Sequence, residues 1–491
     1  MVQRTHPDYI VESKDHPLRT KVVCTIGPAS SDKESLKTLI NAGMNVARLN
    51  LSHSTHEFVS EVITSIRECL QESNSTAQVA IWVDTNGPKV RSGRLVNSQP
   101  VYLEVGQEFW IRNDVDLIGD STQVGCSYTK KHVEVGETLY IDDGILSFKV
   151  VGRTDDSLKT VVLNSGYLGE NKGINIPKRV VEDLPALSEK DRTDINFALQ
   201  NNVDFISVSC IRSVEDVEEA RILLGNSKVK LLAKIENERG MQSYKQILNF
   251  ADGIVIDRGY LGCEVGIEIV TTSQKEMIDY ANTAGKVVLV ANQMLESMRT
   301  SPRPTRSEAA DVANAVIDGA DGLVLSGETA VGDYPEACVK IMRRIAAEAE
   351  KVPNYAEYQV KMMRRIPKPI GVSESIASSA VLCSRQVNAS LIICTTEYGG
   401  TAKLVAKYRP DIPIVAATHI AVTARQLGLS FGVVPFYHSG SPDSLIPETL
   451  RYAVEIGLCQ PGQIAVITSG QSVGFLEGTT TKMQVVEVPS L

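Results

Sequence analysis

From residue 20 onward the chain alternates two hydrophobic patterns. Short, almost wholly apolar runs such as TKVVCTIG, NVARLNLS and VAIWVDT have the length and β-branched content of strands buried on both faces. Between them, SSDKESLKTLINAG and THEFVSEVITSIRECLQES place apolar residues three and four apart, the helical period. The first of these opens on capping residues and closes on glycine. The alternation stops over 87–183, where VYLEVGQEFWIR, TLYIDDGILSFKVV and KTVVLNSG are broken by Gly and Asp, the pattern of an all-β insertion. It resumes with SEKDRTDINFALQNN, a helix with a Ser cap, then DFISVSC, a helix in VEDVEEARILLG, LLAKIE, a helix near 238–250, GIVIDRG and a helix over SQKEMIDYANTAG. VVLVANQ, a helix over 307–318, GLVLSG and a helix in YPEACVKIMRRIAAEAEK complete the set. Eight strand–helix units, with the β insertion spliced after the third strand, predict a (β/α)8 barrel carrying an inserted all-β lid domain.

A polar, basic stretch, KVPNYAEYQVKMMRRIPKP, leads to a third region. There SESIASSAVLCSRQ, ASLIICTT, TAKLVAKY, IPIVAAT and VTARQLGL alternate again, closing with IAVITSG and MQVVEV, as a doubly wound α/β domain would. The expected division is a leader at 1–19, a barrel from 20–86 and 184–352, a β-barrel lid over 87–183, and a C-terminal α/β domain over 353–491. The length of 491 residues agrees with about three domains. A net charge of -9 argues against a general polyanion-binding surface but leaves room for a local cationic pocket. Nine scattered cysteines without a C-x-x-C pair suit reduced thiols, and neither a secretory signal nor a membrane-spanning run is read, so a cytoplasmic protein is expected.

In a barrel the functional side chains follow the strands. The second strand ends in Arg48, Asn50, Ser52 and His53, the third in Asp84 and Thr85, followed by Asn86, Gly87, Pro88, Lys89 and Arg91. In LLAKIE, Lys234 and Glu236 stand two apart and share one face of a strand. Such a pair suits a phosphoryl oxygen and a hard cation, or else an ion pair closing the barrel end. Arg258 and Gly259 follow the sixth strand, Asn292 and Gln293 the seventh, Ser326 and Glu328 the eighth. Cations, carboxylates and small oxygen donors gathered at one end describe an anionic-substrate site with a metal.

The phrases CTIGPAS, NVARLNLSH, DTNGP, LPALSEKD, KIEN, QMLESM, PRPTR, DVANAV, DGAD and LSGETA make the chain resemble the pyruvate kinases from about residue 20 to its end. The resemblance implies transfer of a phosphoryl group from phosphoenolpyruvate to ADP, giving ATP and an enolate that is protonated to pyruvate. It implies that Lys234 and Arg48 act on the transferred group and that Glu236 holds Mg2+ (or Mn2+). Asn50, Ser52, Asp84 and Thr85 would form a monovalent-cation pocket. By the same likeness Asn50, His53 and Arg91 meet the nucleotide, Gly259, Tyr260 and Asn292 lie at the substrate, and Ser326 belongs to the water network that protonates the enolate. Asp183 would lie at the lid hinge. A homotetramer, or a mixed oligomer with related subunits, is implied as well, with no nucleic-acid or membrane partner.

Four departures from the family pattern stand out. Tyr260 replaces the Asp that would be the second Mg2+ carboxylate, and Asp257 could reach the ion only from a distorted loop. Asn292 stands in place of Thr. Asn86 and Lys89 replace Lys and Glu; a tethered ammonium near Asp84 could stand in for K+, so K+ is not expected to be required. In the C-terminal domain Thr395, Thr396, Gly399, Gly400 and Thr401 could cradle an effector phosphate, but Glu397 and Tyr398 intrude, and SGQSVGFLEG lacks basic residues. Two readings follow: a pyruvate kinase, of reduced activity and indifferent to K+, or a catalytically impaired paralogue acting as a structural or regulatory partner. A metal-dependent lyase on the same barrel is a weaker third.

Overall fold

A computed structural model describes residues 18–72, 78–126, 133–142, 144–177, 185–470 and 480–490. The leader up to residue 17, Asp183 and nearly all of the SGQSVGFLEG loop lie outside these.

Eight parallel strands close into a barrel: Lys21–Thr25, Val46–Asn50, Ala80–Asp84, Phe205–Val208, Lys230–Ile235, Gly253–Asp257, Val287–Ala291 and Gly322–Leu325. The first and eighth strands seal it, with Lys21 opposite Gly322 and Cys24 opposite Leu325. Trp82, Phe205, Leu232, Val255, Leu289 and Val324 fill the interior, and the alternate strand residues pack outward on the helices. Both faces are therefore apolar, which is why the strands read as uninterrupted runs.

The period of two carries this inner face up to the carboxyl end. Two residues beyond inward-facing Val46, Trp82, Phe205, Leu232 and Val255 stand Arg48, Asp84, Ser207, Lys234 and Asp257. Polar side chains thus converge on the barrel mouth because the apolar ones beneath them converge on its core.

The insertion forms an open six-stranded sheet in the order Ile174–Asn175, Thr138–Ile141, Leu146–Arg153, Ser157–Val162, Glu108–Arg112, Gln123–Gly125, with a separate ladder of Val101–Leu103 and Gly166–Leu168. Its core is built on Phe109 and Phe148, 5.6 Å between ring centroids. Among the described residues it is a half-barrel, not the closed barrel expected: the two edges, Ile174–Asn175 and Gln123–Gly125, do not pair.

The C-terminal sheet runs Val433–Tyr437, Ile414–Thr418, Leu391–Thr395, Ile464–Gly470, Thr480–Glu487, parallel except for the last strand. Helices Val372–Gln386 and Gly400–Lys407 cover one face and Leu445–Glu455 the other. The strand Val433–Tyr437 and the helix Leu445–Glu455 add to the sequence reading. A short helix, Arg258–Val265, also precedes the long helix Ile267–Ala284, the two separated by Gly266 at φ 94°. No helix among the described residues is long and apolar enough to cross a membrane. None of the nine cysteines is joined in a disulfide among the described residues.

Candidate active site at the barrel mouth

Lys234 is the hub. Its ammonium, on a side chain only 4% exposed, lies 2.7 Å from Glu236 Oε1, 3.1 Å from Asp257 Oδ2 and 3.2 Å from Asp84 Oδ2. It also donates to Ser209 Oγ at 3.3 Å. Burial works against the charge, but these three carboxylates hold the ammonium well above its usual range, so it stays protonated. Arg48 donates from Nε to Asp84 Oδ2 at 3.0 Å and from Nη1 to Thr25 Oγ1 at 2.9 Å. Asp84 Oδ1 accepts from Ser207 Oγ at 2.6 Å, and Ser207 in turn accepts the Trp82 indole N–H at 2.8 Å. Against the penalty of burial, Lys234 and Arg48 keep the Asp84 carboxyl below its ordinary range.

The ion pair of Lys89 is with Glu236 and not with Asp84. Its ammonium sits 2.9 Å from Glu236 Oε2 and 3.4 Å from the centroid of the Tyr260 ring, on a side chain 8% exposed. The reason is charge: Asp84 is already engaged by Arg48 and Lys234, whereas Glu236 has a second oxygen to offer. Glu236 Oε2 also accepts the Cys210 amide at 3.0 Å and its thiol at 3.1 Å. Burial opposes ionisation of Glu236, yet Lys234 and Lys89 push its carboxyl far down.

Asp257 needs no distorted loop. It is the last residue of its strand, faces inward like Val255, and meets Lys234 on one oxygen and the Asn292 amide on the other. Asn292 bridges onward, its Oδ1 accepting from Ser326 Oγ at 3.0 Å. Asn292 and Gln293 have φ of 73° and 54°, a conformation asparagine tolerates well. Gly259 is buried in the first turn of the helix Arg258–Val265, whose orphan amides face the mouth's carboxyl end. Arg258 is drawn aside, 2.7 Å from Asp311 and 2.8 Å from the Asn292 carbonyl.

At the rim, Asn50 Oδ1 accepts from the Ser52 amide at 3.0 Å, and Thr85 is buried behind Ser209. The pocket expected from Asn50, Ser52, Asp84 and Thr85 therefore has its carboxylate already occupied. Gly87, at φ 74°, could not carry a Cβ, which would fall 2.6 Å from that of Ser209; its amide donates to Asp191 Oδ1 at 2.8 Å. Asp191 is also the partner of Ser188 in a capping box, so one carboxylate fixes both a helix start and the loop that presents Lys89.

His53 is pushed down to about 4, by desolvation and by the cations Arg91, Arg48, Lys172 and Lys89, although more than a third of the residue stays exposed. It is neutral at pH 7. Arg91 Nη1 donates to the Asn171 carbonyl of the lid at 2.9 Å.

The lid rests on the helix Arg258–Val265. A Cβ at Gly173 would come within 2.9 Å of the Tyr260 ring, and one at Gly144 within 3.2 Å of Cys263 Sγ. Asn175 Nδ2 donates to Glu264 Oε1 at 2.9 Å. Burial, with a small addition from Glu238, lifts the Glu264 carboxyl to about 7 against the pull of Asn175. A raised acid contributes its full stability below its unfolded value near 4.5 and loses it as pH rises through 7. The expected result is that Glu264→Gln melts higher than wild type at pH 8, by up to about 3 kcal/mol, and that the difference disappears toward pH 5. Melting curves of the two proteins across that range test it.

In the C-terminal domain the hydroxyls of the expected phosphate loop are turned inward. Thr396 Oγ1 accepts from the Gly399 amide at 2.9 Å, Thr401 Oγ1 bonds Thr480 Oγ1, and Thr395 ends the strand before Gly400 opens the helix.

Ser207, Ser209, Cys210, Thr25 and Asp191 complete the mouth although the sequence reading assigned them no role. The rule that served the other strands, to look just past the last apolar residue, would have found Ser209 and Cys210 after DFISV, and the inward period of two would have found Ser207.

Fold and mouth together define a lidded (β/α)8 barrel protein built around a cluster of buried cations and carboxylates. Residues 18–339 match the family model described as the pyruvate kinase barrel domain, and 374–486 the pyruvate kinase alpha/beta domain. A pyruvate kinase of Dictyostelium discoideum is 42% identical over 483 residues, covering 96% of this chain and 94% of that one. A cytosolic isozyme from Glycine max is 39% identical over 91% and 93% of the two chains. The crystal structure of a pyruvate kinase from Cryptosporidium parvum superposes with a TM-score of 0.86 at 40% identity, over 96% of each chain. The chain belongs to the pyruvate kinase family.

Pyruvate kinases use Mg2+. The residues at this mouth do not fit a protein-bound Mg2+. Each Glu236 oxygen lies within 2.9 Å of an ammonium group, although Oε1 accepts no hydrogen bond, and Tyr260 offers a phenol whose ring already faces Lys89. Among the described residues no three His, Cys, Asp or Glu side chains form a metal-binding group.

Proposed function

We propose that the chain catalyses phosphoryl transfer from phosphoenolpyruvate to ADP. The observation that carries this reading, beside family membership, is the pair of buried cations Lys234 and Arg48 locked on Asp84 at the mouth of the barrel. Transfer breaks the bond between phosphorus and the enol oxygen, leaves the electron pair on that oxygen as an enolate, and joins phosphorus to a β-phosphate oxygen of ADP. The methylene carbon of the enolate then takes a proton. Such transfer is governed by positioning and electrostatics. Lys234 and Arg48 supply fixed positive charge for the migrating group, and because they are already desolvated and ion-paired they need little reorganisation. The first-turn amides around Gly259 suit the substrate carboxylate. Neutral His53 and Arg91 line the rim where nucleotide phosphates would enter. Ser326, held to Asn292, is placed to order the water that protonates the enolate.

Among the described residues the ion-paired cluster of the mouth is also electrically balanced. Three carboxylates (Asp84, Glu236, Asp257) face three cations (Arg48, Lys234, Lys89), so no added monovalent ion is needed to neutralise it. Pyruvate formation from phosphoenolpyruvate and ADP, measured with K+ and with tetramethylammonium in its place, is the test. Turnover with a ratio close to one between the two salts is expected. A strict K+ requirement would overturn the charge-balance reading. A protein silent in both salts would favour the second reading, a catalytically impaired paralogue, which the substitutions Lys89 and Tyr260 at the Glu236 carboxylate support.

A further inference from the structure

Two of the unusual residues touch each other. Lys89 comes from the loop after the third strand and Tyr260 from the helix after the sixth, yet the ammonium lies 3.4 Å from the ring centroid. A cation over an aromatic face is attracted to the ring, the more so in a water-poor site. The same ammonium is 2.9 Å from Glu236 Oε2. Around that oxygen the Cys210 amide and thiol close the remaining directions, and Lys234 takes Oε1. A hard divalent ion requires anionic oxygens with free lone pairs. To reach Glu236 it would have to displace two ammonium groups and gain only a phenol in return. Asp257, another carboxylate on Lys234, is committed to that ammonium and to Asn292.

We infer that Lys89 and Tyr260 form one unit, an internal ammonium clamped between a ring and Glu236, which replaces a protein-bound divalent cation at this position. The lid participates, because Gly173 lies against the Tyr260 ring that holds Lys89. Among the described residues the free protein then has no divalent site in its barrel mouth, and a divalent ion active there arrives on the nucleotide phosphates. The inference rests on reading the mouth as the phosphoryl-transfer site, but its test does not depend on turnover.

The experiment is titration of the substrate-free protein with Mn2+, with free ion read by electron paramagnetic resonance. Wild type is expected to show no stoichiometric site. The double variant Lys89→Glu/Tyr260→Asp removes the ammonium and supplies two carboxylates, and should gain one site per chain at least tenfold tighter than any wild-type binding. Stoichiometric Mn2+ binding by wild type, unchanged in the double variant, would overturn the inference. So would a folded double variant that binds no more Mn2+ than wild type. Should the double variant fail to fold, Lys89→Met provides the reading: freeing Glu236 Oε2 alone should raise Mn2+ affinity, and a folded Lys89→Met with wild-type binding sinks the proposal. A protein silent as a kinase but behaving in this way towards Mn2+ leaves the inference standing, so the two failures are separable.

Discussion

Lys234→Met is expected to abolish pyruvate formation, lowering kcat on the order of 10³-fold, and to destabilise the barrel at the same time. The two effects have one origin. Lys234 is the only residue that touches Asp84, Glu236 and Asp257 together among the ion pairs described, and all three carboxylates are almost fully buried. Removing one partner of a buried ionic network leaves uncompensated charge, a loss of about 3–5 kcal/mol. The carboxylates respond by taking up protons, so the loss should be larger at pH 8 than at pH 5. Lys234→Arg separates the effects. It restores the charge and most of the stability, but a planar fork cannot replace a point ammonium among three carboxylates, so turnover stays depressed. Kinetics and melting curves of both variants decide the matter. A Lys234→Met protein that keeps wild-type kcat would exclude this mouth as the reaction centre.

What was legible in the chain and what was not divides along a physical line. The positions of Arg48, Asp84 and Lys234 follow from the strand period alone, because each stands two residues beyond an inward apolar side chain. The same period placed Asp257 inside, and the expectation of a distorted loop arose from measuring its distance to residue 260, which is on a helix, instead of to Val255. Partner choice was not legible. Nothing near Lys89 in the sequence reveals that Asp84 is already engaged or that Glu236, from another strand, has a vacant oxygen. The positive φ of Cys210 has no signature in residue type, whereas that of Asn292 falls on a residue that favours it. The helix Arg258–Val265 was hidden because Gly259 and Gly262 depress its helical propensity, which packing against the lid and the barrel overrides. Contacts between the barrel and the C-terminal domain, such as Arg425 with Asp204, join residues too far apart in sequence for any local pattern to announce them.

At that same boundary, Arg409→Leu should cost nearly as much stability as Lys234→Met while leaving the mouth untouched. Arg409 is 3% exposed and reaches from the C-terminal domain into the amino end of the barrel. Its Nη2 donates to Gly319 O at 2.6 Å, Asn282 Oδ1 at 2.8 Å and Asp321 Oδ1 at 3.0 Å, and its guanidinium stacks 3.9 Å from the Phe431 ring centroid. Asp321 cannot turn to water, since its other oxygen accepts the Val288 amide at 2.9 Å at the start of the seventh strand. Burial already raises the Asp321 carboxyl, with Arg409 opposing the rise. Without Arg409 it climbs further, and the folded protein must either bury an unpaired carboxylate or hold a proton there. The sign follows directly: the deficit is largest above neutral pH, about 3 kcal/mol or more, and shrinks as pH falls toward the carboxyl's own range. Arg409→Leu combined with Asp321→Asn removes the charge while keeping an acceptor for Val288, and should recover much of the loss at pH 8. If the single and double variants melt alike at pH 8, the ion pair is not what ties the two domains, and the Phe431 stack is the better candidate.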